Sequence, residues 1–238
     1  MHNNVLNKNK HHISMMFDSI SQSYDFLNCL LSFGFDKIWR KKLINEIKNF
    51  QIEKFLDVAT GTGDILVLGA KYLNVKELYG IDISEKMLEK ARKKIANINS
   101  KIKCTLINGD VEKMQFDNDF FDIITIAYGV RNFEDFNKSL HECYRVLRKG
   151  GIIAILEFGL PKNKIIYFFY YIYFTKILPF LGFVFSKNKN AYKYLPESVL
   201  KFPYGKSFVE ILQQVGFKNC YYKNLLNGIS FLYIGFKY

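Results

Sequence analysis

From residue 53 to the C-terminus, short apolar runs alternate with stretches of helical periodicity, and few architectures accommodate that alternation. Strands buried on both faces read as continuous apolar runs, and helices between them act as crossovers, so the pattern predicts a parallel sheet covered on both sides. EKFLDV (53–58), ELYGIDI (77–83), IKCTLIN (102–108), FDIITIA (121–127) and GIIAILE (151–157) are its expected strands. Ile65, Leu66, Leu68 and Leu73 mark one intervening helix; Ser84 stands as N-cap to another with Met87, Leu88, Ala91 and Ile95 on one face. DFNKSLHECYRVLRK (135–149) predicts a third helix, stopped at Gly150-Gly151. After a helix at 206–215 ending at Gly216, FKNCYYK and ISFLYIGF lie so close together that they are expected to pair antiparallel, since a parallel crossover needs about a dozen residues or more.

Two segments stand outside this pattern. DKIWRKKLINEIKNF (36–50) is amphipathic, with Ile38, Leu43, Ile47 and Phe50 expected on its core side. IIYFFYYIYFTKILPFLGFVF (165–185) has the length of a bilayer crossing, about 20 residues. Lys176 and Pro179 interrupt it, and its run of Tyr and Phe fits a greasy cap over a lipophilic substrate, or an interfacial helix pair, better than a transmembrane helix. The expected organisation is therefore an N-terminal helical segment (1–50) and a main domain (51–238), with 158–205 as a helical insertion in it.

The net charge of +12 admits an anionic partner such as nucleic acid or a membrane surface, but the preference for Lys, Asn, Ile, Phe and Tyr is also what an AT-rich genome produces. Cys29, Cys104, Cys143 and Cys220 show no metal-ligand spacing and imply a reduced compartment. MHNNVLNKNKHH (1–12) lacks the apolar region of a signal peptide, so no export is expected.

The loop after the first strand, FLDVATGTGD (55–64), carries the chemistry. Its glycines, Gly61 and Gly63, allow close backbone approach, but Leu66 replaces the third glycine of a dinucleotide fingerprint and no P-loop lysine follows. Asp57 and Asp64 flank the glycines, and carboxylates beside a pyrophosphate in a partly desolvated loop repel it. S-adenosylmethionine, with a sulfonium, an ammonium and one carboxylate, removes that objection. Asp82, about 20 residues beyond the glycines, is placed to accept ribose hydroxyls, as it would be for NAD as well. Asp110 is placed for an adenine amino group and Val111 for a backbone N–H to a ring nitrogen. Of Asp57 and Asp64, one braces the loop while the other caps the helix or faces the methionine ammonium, and the two roles are interchangeable on sequence alone.

These residues resemble the motif set of class I SAM-dependent methyltransferases. YDFLNCLLS (24–32), GVRN (129–132) and RVLRKGG (145–151) leading to LEF (156–158) further resemble the quinone C-methyltransferases that make menaquinone and ubiquinone, a likeness that runs along nearly the whole chain. The resemblance implies a Rossmann-like α/β fold with a seven-stranded, mostly parallel sheet and an antiparallel last strand pair, and cofactor contacts from Thr62, Asp82, Asp110 and Val111. It also implies that GVRN lies beside the substrate. Three positions depart from the family pattern: Ala127 where ubiquinone-pathway members often carry Ser, Asp36 where His is frequent, and Lys149 where Pro is frequent. The second puts any acid–base role at position 36 in doubt.

Methylation at a ring carbon requires an electron-rich ring, so the phenolate form of a hydroquinone must be favoured. Arg131 is expected to stabilise that charge, or to polarise a water that takes the proton, with Asn132 and Tyr24 orienting the ring hydroxyls; the competing role for Arg131 is a loop-holding ion pair with Glu134 or Asp135. His141 is expected at the surface. No metal is required, since a sulfonium is already an activated electrophile. The expected reaction is methylation of demethylmenaquinol, with a methoxy-polyprenyl-benzoquinol as alternative; an RNA-binding methyltransferase or a non-catalytic scaffold are remoter readings. The expected partners are a polyprenyl quinol and a membrane surface contacted peripherally from the cytoplasmic side, with no nucleic acid and with a homo-oligomer allowed.

Overall fold

A computed structural model describes residues 8–98, 102–180 and 189–238. Its centre is one seven-stranded sheet: β1 (Lys54–Val58), β2 (Glu77–Asp82), β3 (Lys103–Asn108), β4 (Phe121–Ala127), β5 (Leu147–Phe158), β6 (Lys218–Leu225) and β7 (Ser230–Phe236), in spatial order β3-β2-β1-β4-β5-β7-β6. β7 slots between β5 and β6 and runs antiparallel to both; the other pairings are parallel. Strand order reverses between β1 and β4, and open α/β sheets bind ligands outside the carboxyl ends of the strands at such a reversal.

Alternate residues along each strand serve opposite faces, which explains the continuous apolar runs. Leu56, Ile124, Ile153, Phe231 and Tyr233 join one buried cluster with α6 (Phe136–Val146) and α9 (Lys206–Val215). Phe55, Ile123, Ala154, Leu232 and Ile234 join the other, with α3 (Phe35–Ile47) and α4 (Asp64–Tyr72). A third cluster lies beyond the strand ends. There α1 (Lys10–Ile20) and α2 (Tyr24–Leu31) pack against Met87 of α5 (Glu85–Ala96), against Phe174 and Leu178 beyond α7 (Lys164–Ile172), and against Val199 of α8 (Lys189–Lys201). The N-terminal helices and the insertion therefore form one roof over the site. Among the described residues no helix is long and apolar enough to cross a membrane; part of the 165–185 run, 181–185, lies outside them.

Two local expectations change. The buried stripe of α3 is Trp39, Leu43, Ile44 and Ile47, whereas Ile38 and Phe50 are exposed, because the face centred on 39, 43 and 47 turns position 38 outward. α6 ends at Val146, not at the glycine pair: Leu147 turns extended, is fully buried and pairs with Phe121, so the sheet claims a sequence of helical propensity. Gly150 and Gly151 then serve a register shift in β5, where a side chain at 151 would meet the Asp122 carbonyl oxygen at 2.9 Å. Ser84 caps α5 as expected, accepting from Met87 N–H at 3.2 Å. His141 is exposed, also as expected.

Candidate functional site

The loop after β1 is held from below. Asp57 is buried; its carboxylate accepts from the hydroxyls of Thr60 and Thr125, each at 2.7 Å, and burial pushes its pKa up to about 7. Of the two roles left open for the flanking acids, bracing falls to Asp57. Asp64 neither caps α4, whose N-cap is Gly63, nor lines the cleft. It bonds Lys94 at 2.5 Å and lies 3.7 Å from Arg40. Against the desolvation that would raise it, these cations hold its carboxyl below the usual range. Lys94 also bonds Asp25 and Thr62, and Thr62 donates to Asp25 at 2.6 Å, so Thr62 is tied into a polar network away from the cleft lining. Gly63 has φ +82°, and a side chain there would crowd Ala91 of α5 at 3.1 Å; its glycine is explained by helix packing.

Gly61 and Asp82 meet at the cleft. The Gly61 N–H donates to Asp82 at 2.7 Å, the Ser84 N–H does so at 2.9 Å, and burial raises Asp82 to about 6. Both residues line a cleft at the strand ends together with Ala59, Gly109, Asp110, Val111, Glu112 and Asn132. Four carboxylates (Asp82, Asp110, Glu112 and Glu134) outnumber two lysines (Lys8 and Lys10) in the lining, which suits a ligand with cationic groups better than a phosphate, and Gly61 has open space where a side chain would stand. Asp110 caps the turn Val111–Lys113, accepting from Glu112 N–H at 2.9 Å. Sequence reasoning missed its second partner: Lys10 of α1 bonds Asp110 at 2.7 Å and Glu112 at 2.8 Å, closing the cleft from above.

A second cavity, of about 480 Å³, is lined mostly by apolar side chains of α1, α2, α7, the turn beyond α7 and α8, among them Met16, Leu31, Phe169, Phe174 and Leu195. Phe17, Tyr24, Tyr128 and Asn132 line both spaces, so the cleft and the cavity adjoin at these residues. Tyr24, Arg131 and Asn132, the three residues singled out for ring chemistry, all line the cavity. Burial raises the Tyr24 phenol above its ordinary range.

The partner of Arg131 is neither Glu134 nor Asp135. It is Glu157 at the end of β5, fully buried, at 2.7 Å. Nη1 also donates to the Tyr128 carbonyl oxygen at 2.5 Å and Nε to Ser198 of α8 at 3.3 Å. Asp36 is buried and bonds Arg40 and Ser32, so it positions a second guanidinium, which lies 5.5 Å from the Tyr128 ring. No signal in the glycine loop marks these links, although the LEF motif contained Glu157.

The strand order, the reversal at β1/β4 and the acid-lined cleft define a class I SAM-dependent methyltransferase. Solved structures share the fold: a putative S-adenosyl-L-methionine-dependent methyltransferase from Methanococcus maripaludis has a TM-score of 0.59 at 24% identity, covering 100% of this chain and 97% of that one. Phosphoethanolamine N-methyltransferase 2 from Haemonchus contortus, in complex with S-adenosyl-L-methionine, has a TM-score of 0.59 at 13% identity, covering 83% of this chain and 52% of that one.

The chain belongs to the ubiE/COQ5 methyltransferase family, whose model matches residues 4–237. It is 39% identical over 230 residues to demethylmenaquinone methyltransferase of Bacteroides fragilis, covering 97% of this chain and 94% of that protein. It is 42% identical over 226 residues to the ubiquinone/menaquinone biosynthesis C-methyltransferase UbiE of Geotalea daltonii, covering 94% and 96%.

Proposed function

We propose that the protein methylates a ring carbon of demethylmenaquinol, with S-adenosylmethionine as donor. The observation that carries this reading is the pair of adjoining spaces, an acid-lined cleft and an apolar cavity that share Phe17, Tyr24, Tyr128 and Asn132. Bound S-adenosylmethionine supplies an electrophilic methyl group. The residues proposed to hold it are Asp82 for the ribose hydroxyls, Asp110 and Val111 for the adenine, and Gly61 for close backbone approach. Asp57, Thr62 and Gly63 keep the loop in shape from outside the cleft lining. No metal takes part in this reading.

Transfer to carbon needs the ring oxygen deprotonated and the ring held still. Arg131, fixed by Glu157, Ser198 and the Tyr128 carbonyl, presents a guanidinium that lowers the cost of a phenolate in an apolar surrounding. Asn132 and Tyr24 orient the ring from the shared wall. The 158–205 insertion acts as the substrate-binding element, and the polyprenyl tail leaves through the cavity mouth, where Phe33, Ile165 and Phe169 are 75, 70 and 66% exposed. Between Glu157 and Glu197 the sequence has no acid, but has Lys162, Lys164, Lys176, Lys187, Lys189 and Lys193. An exposed aromatic rim in a stretch of sequence with lysines and no acids favours peripheral contact with an anionic membrane surface over contact with nucleic acid.

The test is incubation with methyl-labelled S-adenosylmethionine and either reduced demethylmenaquinol or reduced methoxy-polyprenyl-benzoquinol. Label is expected on the naphthoquinol. Label on the benzoquinol alone would move the protein to the ubiquinone pathway, and label on neither would overturn the reading.

A further inference from the structure

Among the described residues, four buried side-chain oxygens have no hydrogen-bond partner: Tyr128 Oη, Asn132 Oδ1, Tyr170 Oη and Tyr194 Oη. All four residues line the apolar cavity. Buried polar atoms are almost always paired, so a cluster of orphans in one cavity marks the positions of a ligand's own polar atoms. The Tyr128 hydroxyl is within reach of Ser230, which leaves Asn132 from the core and the two phenols from the insertion.

Each phenol is held in place. The Tyr170 ring stacks on Phe174 with centroids 4.9 Å apart. Tyr194 lies one helical turn before Ser198, the residue through which α8 binds Arg131 Nε, so the Tyr194 side chain shares the face that meets Arg131. Both phenols feel the Arg131 guanidinium, and burial keeps both protonated and able to donate, Tyr194 being pushed up to about 12.

We propose that Tyr170 and Tyr194 bind the oxygens of the substrate ring, so that the insertion reads the oxygenation of the ring as well as its greasy tail. The inference rests on the quinol reading above. Each O–H donates to a ring oxygen, while Asn132 Oδ1 accepts from a ring hydroxyl. A bare aromatic hydrocarbon would fill the same space and leave all three unpaired, and sites built to hydrogen-bond a substrate discriminate strongly against analogues that cannot.

The test uses two small probes of one shape, 2-methyl-1,4-naphthohydroquinone kept reduced and 2-methylnaphthalene. Their binding to the full-length protein is measured by calorimetry for the wild type, Tyr170→Phe, Tyr194→Phe and the double variant. The wild type is expected to prefer the oxygenated ring, and the double variant to lose about tenfold or more of that preference. Its affinity for 2-methylnaphthalene and for S-adenosylmethionine should stay unchanged, a split that a misfolded or merely loosened cavity would not give. A preference equal to wild type in the double variant overturns the assignment of the two tyrosines. If the wild type shows no preference and transfers no methyl group to any quinol, the quinol reading fails as well, which separates the two failures.

Discussion

The cofactor cleft and the apolar cavity adjoin at four residues, yet they are built on opposite principles. The acids in and beneath the cleft are already paired: Asp82 accepts from Gly61 and Ser84, Asp110 from Glu112 and Lys10, and, below the lining, Asp57 from two threonines. In the cavity, among the described residues, the Tyr170 and Tyr194 hydroxyls and the Asn132 amide oxygen have no partner. On the proposed reading the cleft is thus organised before its ligand arrives, while the cavity is completed by its ligand: selectivity for the cofactor would come from charge and shape already in place, and selectivity for the ring from bonds made on binding.

The strongest way to break that contrast is at Arg131. Arg131→Ala leaves Glu157 buried without its cation and should cost about 3–5 kcal/mol, lowering the melting temperature by on the order of 10 °C and abolishing methyl transfer. Adding Glu157→Gln should recover much of the stability without the activity; full recovery of both would reduce Arg131 to a structural ion pair.

Asp82→Asn should weaken S-adenosylmethionine about 100-fold in calorimetry while ring probes bind the cavity unchanged. Because burial raises Asp82 to about 6, its carboxylate is ionised at neutral pH and cofactor affinity should decline as pH falls through about 6, a slope the Asn variant should lack. Phe168 is exposed beside Phe169 in α7, and the paired Phe168→Ser and Phe169→Ser variant should lower binding to phosphatidylglycerol vesicles about tenfold or more in co-sedimentation, with cofactor affinity intact. The smallest effect belongs to Lys10→Ala. Releasing Asp110 and Glu112 makes the cleft more negative and should tighten S-adenosylmethionine, a net cation, by a few fold; weaker binding would make Lys10 a direct contact.

The same contrast explains what could be read in advance. The first four strands, the glycine loop and Asp82 are encoded locally, in strands of five to seven residues and the turns that follow them, so period and spacing expose them. The position of β7 between β5 and β6 is not, because it depends on which edge the last strand reaches. Ile38 lies one position off the buried stripe of α3, a shift that periodicity alone does not resolve, and pairing of Leu147 with Phe121 ends α6 before its helical sequence does. The orphan tyrosines follow no spacing rule. Tyr170 and Tyr194 sit on different helices and converge only after both pack against the N-terminal helices. The GVRN tetrapeptide marks Arg131, but its ion-pair partner Glu157 stands 26 residues away and not at the neighbouring acids.

The shared roof has a consequence for the nascent chain. Ile13, Met16, Ile20 and Leu27 leave the ribosome well before Phe174, Leu178 and Val199, which are among the residues that cover them. At about 5–20 residues per second, the first helices wait on the order of 10 s for those partners to be synthesised. Through that interval the greasy face of α1 is open to chaperones and to other chains, and the apolar cavity cannot close until those later residues have been made.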